Sequence, residues 1–267
     1  MARIARFESA GKTNTAIDTG QGWCQLEGDI YGSYSAGASI DVPELRLSPV
    51  DPPAIFCVGL NYRAHAAEVG ADLPERPVLF MKTVNTITGH GQPVEIPKQA
   101  TSDKVDYECE LAIVIGKRCK NVSADTALDY VLGYTCANDV SARDWQMEWG
   151  GSQWCRGKSF DTFCPLGPEL ITADQLGNPN ALDISTWVNG EQLQQSNTSD
   201  MIFDVPTLIE FLSASTTLLP GTVILTGTPS GVGIGRTPPV WLKAGDSVTI
   251  EIENIGSLTN SVVDEIP

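Results

Sequence analysis

Residues 105–117 read VDYECELAIVIGK. Asp106, Glu108 and Glu110 stand at every second position of an otherwise apolar run, and such alternation marks a β-strand. One face then carries Val105, Tyr107, Cys109, Leu111, Ile113 and Ile115. The other carries Asp106, Glu108, Glu110, Ala112 and Val114. Carboxylates two residues apart on a strand are separated by roughly 6.6 Å, from a rise of ~3.3 Å per residue. They repel each other unless they face open water or share a cation. A solvated face is the ordinary outcome, but here the charged face continues into Ala112 and Val114, which points it into the protein.

The segments on either side of this strand set the fold class. Upstream, IFCVGL (55–60) and VLFMK (78–82) read as strands flanking a short helix in NYRAHAAEVG, with Asn61 expected to cap it and Gly70 to close it. Downstream, SADTALDYV reads as a helix capped by Ser123, and LGYTCAND as a strand ending in Asp139. Asn189-Gly190 between STWV and EQLQ is a strong hairpin signal. DVPTLIEFLSA is a helix capped by Asp204 with Pro206 in its first turn. TVILT is a buried strand opening into GTPSGVGIG, and DSVTIEIENIGSLTNSVVDE supplies two more alternating strands. Many strands, few short helices and no βαβ rhythm give an α+β fold dominated by sheet. SPVDPPAIF, with Pro49, Pro52 and Pro53, reads as a connector. It divides a small β-rich N-terminal unit, residues 1–50, from a larger domain, 51–267.

The totals narrow the function classes. The chain has 267 residues and a formal charge of −16, which disfavours nucleic acid or an anionic membrane as partner. An anionic substrate would need a locally positive site. No apolar run approaches the ~18 residues of a membrane span. MARIARFESAGKTN has two arginines but no apolar core after them, so it is not a secretory signal, and a cytoplasmic protein is expected. The seven cysteines are odd in number and include no CxxC pair, which indicates neither a disulfide framework nor a thiolate zinc site.

Four groupings could carry chemistry. Glu108, Glu110 and the distant Asp139 offer oxygen ligands with no His or Cys beside them, a set suited to Mg²⁺ or Mn²⁺. His65 and Glu68, three apart on a helix, share a face, so the carboxylate could orient the imidazole as a general base. The other histidine, His90, lies in a turn-rich segment. Lys82, Arg143 and Lys158 are cations in structured contexts of an acidic chain. GTPSGVGIG could offer backbone N–H groups to an anion. It matches neither a dinucleotide fingerprint nor a Walker A loop, and Thr228 stands where a nucleophile elbow around Ser230 needs Gly.

Taken in order, VGLNYRAHAAEVG, DYECELAIVIGK, NDVSARDWQ, GKSFDTFCPLGP, VNGE and ILTGTPSGVG resemble the fumarylacetoacetate hydrolase family from about Ile55 to the C-terminus. The resemblance implies a mixed β-sandwich roll, commonly a homodimer, with Mg²⁺ or Mn²⁺ held by Glu108, Glu110 and Asp139. It implies that His65 and Glu68 activate water, that Lys158 takes part in catalysis, and that Arg143, Gln146 and Thr228 line the substrate site. The expected substrate is a small anionic 2-oxo or 2,4-dioxo acid reacting through an enolate, with C–C hydrolysis of an acylpyruvate placed first. Oxaloacetate tautomerisation or decarboxylation on the same metal site is the alternative, and a non-catalytic metal–oxo-acid binding module the second. Glu148 and the Gly-rich EWGGSQ are a departure expected to alter the pocket.

Overall fold

The carboxylate strand is interrupted. In the computed structural model, which describes residues 2–266, Val105–Asp106 pairs antiparallel with Ser141–Ala142, and the run resumes as Cys109–Ile115. Both faces of the resumed strand are buried. Cys109, Leu111, Ile113 and Ile115 enter one apolar cluster, whereas Ala112 and Val114 enter a second. The acidic face therefore does run inward. The break follows from Asp106, whose side chain accepts hydrogen bonds from the N–H groups of Tyr107, Gly233 and Ile234 and so turns the backbone off the ladder.

Cys109–Ile115 lies inside a large mixed sheet. In spatial order the sheet runs Tyr34–Ser39, Trp23–Gly28, Lys12–Asp18, Arg3–Ser9, Cys164–Thr172, Val131–Asn138, Cys109–Ile115, Val223–Leu225, Ile55–Gly59 and Val78–Lys82. The first four are an antiparallel meander joined to Cys164–Thr172 through Arg3 opposite Ile171 and Ile4 opposite Leu170. Ile4, Ile17 and Leu26 share the second apolar cluster with Ile55, Ala112 and Leu225. A five-stranded sheet, Glu191–Asn197, Asp183–Val188, Ser247–Ile252, Gly256–Asp264 and Val94–Ile96, covers the other face. Its Ile184, Ile250, Ile252 and Leu258 pack with Leu111 and Ile113 in the main core. The architecture is a sheet-dominated α+β roll with short peripheral helices.

Several local expectations hold for the reasons given. Asn189 and Gly190 both have positive φ, 53° and 83°, as a two-residue type I′ hairpin requires. Asp204 caps Val205–Ser213, its side chain accepting from Thr207 N at 3.0 Å. Two others differ. Ala124–Tyr130 winds as a 3₁₀ helix with no side-chain cap from Ser123, since a segment this short lacks the length to propagate α-helical bonds. The helix in NYRAHAAEVG spans Arg63–Glu68, with Tyr62 rather than Asn61 at its uncapped N-terminus. Asn61 is used elsewhere: its amide donates to Phe203 O and Thr226 O and accepts from Phe203 N. Among the described residues no helix is long and apolar enough to cross a membrane.

Candidate active site

At the start of Cys109–Ile115 the side chains of Glu108 and Glu110 meet Asp139, just past the end of the adjacent Val131–Asn138 strand. One carboxylate oxygen from each lies within 4.8 Å of the others, and all three residues are buried. Sheet register creates the cluster, because Cys109 faces Asn138 and brings the flanking acids together.

Three buried cations answer these charges. Lys158 Nζ lies 2.7 Å from both Glu108 Oε2 and Asp139 Oδ2. Lys82 Nζ lies 2.6 Å from Asp139 Oδ1. Arg143 bridges Asp106 and Glu108 at 2.8 and 2.7 Å and donates from Nη1 to Gln146 Oε1. Next to Lys158, Gly157 packs against the 144–148 turn, where a Cβ would stand 2.6 Å from Gln146 N and 2.7 Å from Ala142 O.

The set is one positive charge short. Asp106, Glu108, Glu110 and Asp139 are four buried carboxylates against the three cations. Burial would raise Glu108, but Lys158 and Arg143 outweigh it and bring that carboxyl down to about 2. Glu110 has no cation within ion-pair distance among the described residues and accepts one hydrogen bond, from Gly227 N at 2.7 Å. Burial, then the charges of Asp139 and Glu108, push its carboxyl well above the ordinary range. A divalent cation among these oxygens would relieve that repulsion, and an all-oxygen donor set fits a hard ion. The residues present therefore suit a divalent metal. Burial works against the charge on Lys158, yet Asp139 and Glu108 prevail and its ammonium is held more firmly than usual.

His65 and Glu68 face the same cavity, which has a volume of about 450 Å³ and also touches Glu108, Lys158 and Thr228. His65 Nδ1 stands 2.9 Å from Glu68 Oε2, while Glu68 Oε1 accepts from Gly231 N at 2.8 Å. In the neutral ring with Nδ1–H donating to this carboxylate, Nε2 is the nitrogen left to accept a proton. His90 is not part of this arrangement, and its Nδ1 accepts from Thr259 N.

The glycine-rich loop plays a different part from the one expected. Its N–H groups at Gly227, Gly231 and Gly233 are spent on Glu110, Glu68 and Asp106. It braces the protein's own carboxylates instead of presenting donors to a ligand. A Cβ at Gly233 would lie 2.0 Å from Val240 O and 2.5 Å from Asp106 Oδ1, so the brace needs glycine there. Thr228 Oγ1 accepts from Gln194 Nε2 at 2.8 Å. In the departing loop, Met147 reaches the cavity while Glu148 pairs with Lys104 outside it. The sequence reading overlooked two contributors. Asp106 belongs to the charge cluster as the partner of Arg143, and Asn61 ties the His65 helix to the loop by way of Thr226 O. A lone Asn beside a helix gives no sign of this in sequence.

Comparison with known proteins identifies the family. Residues 54–263 match the family described as fumarylacetoacetate (FAA) hydrolase C-terminal. The chain is 50% identical over 218 residues to oxaloacetate tautomerase fahd2, mitochondrial, of Xenopus laevis, covering 81% of this chain and 68% of that one. It is 48% identical over 224 residues to the fumarylacetoacetate hydrolase domain-containing protein 2 homolog of Dictyostelium discoideum, covering 80% and 73%. Among solved structures, the 2-hydroxyhepta-2,4-diene-1,7-dioate isomerase from Mycobacterium marinum superposes with a TM-score of 0.85 at 40% identity, covering both chains in full. The frog relative is named mitochondrial, which overturns the cytoplasmic placement expected above. An apolar core is the mark of a secretory signal, and looking for one does not test for an amphipathic, arginine-rich organelle address. The family match, the identity to the relatives and the shared fold agree: the chain belongs to the fumarylacetoacetate hydrolase family.

Proposed function

We propose that the chain is a divalent-cation-dependent keto–enol tautomerase of oxaloacetate. One observation carries the reading: the His65–Glu68 pair and a carboxylate–lysine cluster line one cavity. The names of the frog relative and the mycobacterial structure, a tautomerase and an isomerase, support proton-shift chemistry over the C–C hydrolysis placed first in sequence. Glu108, Glu110 and Asp139 would hold Mg²⁺ or Mn²⁺, which when bound supplies Lewis-acid polarisation of the 2-oxo carbonyl.

The chain's own groups account for the rest. His65 Nε2 takes a proton from C3 of the keto acid, and Glu68 stabilises the imidazolium through Nδ1. Lys158, held charged by Glu108 and Asp139, places positive charge beside the developing enolate oxygen. Gln146 has its carbonyl engaged by Arg143, so its amide N–H groups can donate to the substrate carboxylate. Thr228 lines the same cavity. Returning the proton to oxygen rather than carbon completes the keto-to-enol shift, and no water is consumed.

The test is proton NMR of oxaloacetate, acetylpyruvate and fumarylpyruvate with Mg²⁺ and protein, against a chelator control. Faster metal-dependent keto–enol relaxation of oxaloacetate, with both acylpyruvates intact, supports the reading. Metal-dependent release of pyruvate from an acylpyruvate restores the hydrolase. No turnover of any of the three, with ligand binding intact, leaves a binding module.

We also propose a homodimer. Leu79 and Met81, 46% and 42% exposed on the edge strand Val78–Lys82, and Val84 beside them form an apolar edge suited to a second copy. Light scattering that returns a monomer mass overturns this.

A further inference from the structure

Three Arg or Lys side chains line the cavity, and two are already committed. Arg143 is bound to Asp106 and Glu108, and Lys158 to Glu108 and Asp139. Arg236 differs. No carboxylate among the described residues lies within ion-pair distance of it. Its Nη2 donates to Leu193 O at 2.6 Å and its Nε to Gly231 O at 3.4 Å, and the Tyr107 phenol lies beside it. The guanidinium is half-buried and pinned to backbone, so its position is fixed while its charge is unspent.

In a chain of net charge −16, an Arg at a cavity wall without a carboxylate partner is conspicuous. Bracing alone does not explain it, because carbonyl contacts use only part of a five-donor fork. The same loop places both ends of the arrangement. Gly231 N holds Glu68, which orients His65, and Gly231 O receives Arg236. The His65–Glu68 pair and the guanidinium are thus both tied to Gly231, beside the same cavity as the carboxylate cluster.

We propose that Arg236 recognises the distal carboxylate of a dicarboxylic 2-oxo acid, and so selects diacids over monocarboxylic 2-oxo acids of the same length. This deepens the tautomerase reading and rests on it for the orientation of the substrate. Arg143 and Lys158 already hold two carboxylates each, whereas Arg236 has no carboxylate within ion-pair distance among the described residues and offers a planar fork that matches one.

The test compares ligands that differ in the distal group alone. Calorimetry on the Mg²⁺-loaded protein measures 2-oxoglutarate against 2-oxopentanoate, and NMR measures C3 proton turnover of oxaloacetate against 2-oxobutyrate. For Arg236→Met, the diacid Kd and the KM for oxaloacetate should rise at least tenfold, with kcat and monoacid binding changed less than threefold. Arg236→Lys should recover part of the loss. Equal losses for diacid and monoacid, or no change in either, overturn the proposal. Should Arg236→Met lower the melting temperature sharply, Arg236→Lys and Arg236→Gln carry the same comparison. A wild type that prefers diacids through Arg236 but does not tautomerise oxaloacetate would sink the tautomerase reading and leave this one standing. Tautomerisation without diacid preference would do the reverse.

Discussion

The two walls of the cavity are built to opposite standards. The carboxylate wall rises from paired strands, with Glu108, Glu110 and Asp139 at 6%, 1% and 0% exposure, and every member is held by a cation or a backbone N–H. The histidine wall is a six-residue helix with no side-chain cap, tethered through Asn61, Arg63 and Asp200. Like charges forced together need a scaffold that cannot relax, because any movement that opens the cluster to water would also dissolve its field. A base that moves a proton requires only correct placement while substrate is bound, so a short tethered helix suffices.

Removing Glu110 should separate the two walls most sharply. Gln at 110 keeps the acceptor for Gly227 N and deletes the surplus negative charge. Glu110→Gln should lose at least ~100-fold in Mg²⁺ affinity, beyond the effect of an outer-shell change, and essentially all turnover. Its metal-free melting temperature should nonetheless match or exceed wild type. A variant that loses both metal and stability would show that Glu110 is structural. His65→Ala should do the converse, lowering kcat by about 10²–10⁴, the usual worth of a general base, while Mg²⁺ affinity by calorimetry stays within about threefold.

Titration sharpens the contrast. Burial and its acidic neighbours raise the Glu110 carboxyl in the metal-free fold, so the folded chain holds a proton that the unfolded chain releases near ~4.3. Stability from this group is complete below that ordinary value and is lost as pH rises through the raised one. Glu108, brought down to about 2, contributes in the opposite sense and loses its share only in strong acid. The melting temperature of chelator-treated wild type should therefore fall relative to Glu110→Gln as pH rises above the ordinary carboxyl value. Saturating Mg²⁺ should close the gap. Mg²⁺ binding should also release protons, seen as a buffer-dependent binding enthalpy; a heat independent of buffer would mean that Glu110 is already ionised.

The carboxylate wall was legible in sequence because it obeys a local rule. Period-2 alternation over 105–115 placed Glu108 and Glu110 on one face, and the apolar continuation showed which way that face pointed. The hairpin at Asn189-Gly190 and the Asp204 cap were legible for the same reason, since each is a short-range backbone requirement. The break at Asp106, the pairing of Lys82 with Asp139 and the bracing role of GTPSGVGIG were not. Each depends on contacts more than fifty residues apart, as between Lys82 and Asp139 or Asp106 and Gly233. A glycine-rich loop looks the same in sequence whether its N–H groups serve a ligand or the protein's own acids.

The smallest expected effect concerns the joint between the two walls. Leu60, at the end of Ile55–Gly59, has φ of +56°, a costly conformation for a branched side chain, and Asn61 follows it directly. The Asn61 amide bonds to Phe203 O and Thr226 O at 3.0 and 2.7 Å fix where the His65 helix begins relative to the loop. Asn61→Ala should cost about 1–3 kcal/mol, the penalty for leaving buried backbone groups unpaired. It should also raise the KM for oxaloacetate several-fold while Mg²⁺ affinity holds. Asp204→Ala supplies the control, since it removes a helix cap worth about 1 kcal/mol at a residue that does not line the cavity. If the two variants lose similar stability and only Asn61→Ala loses activity, the strained turn positions the base. If both leave activity intact, the histidine helix is placed by its packing alone, and Leu60 carries its strain for some other reason.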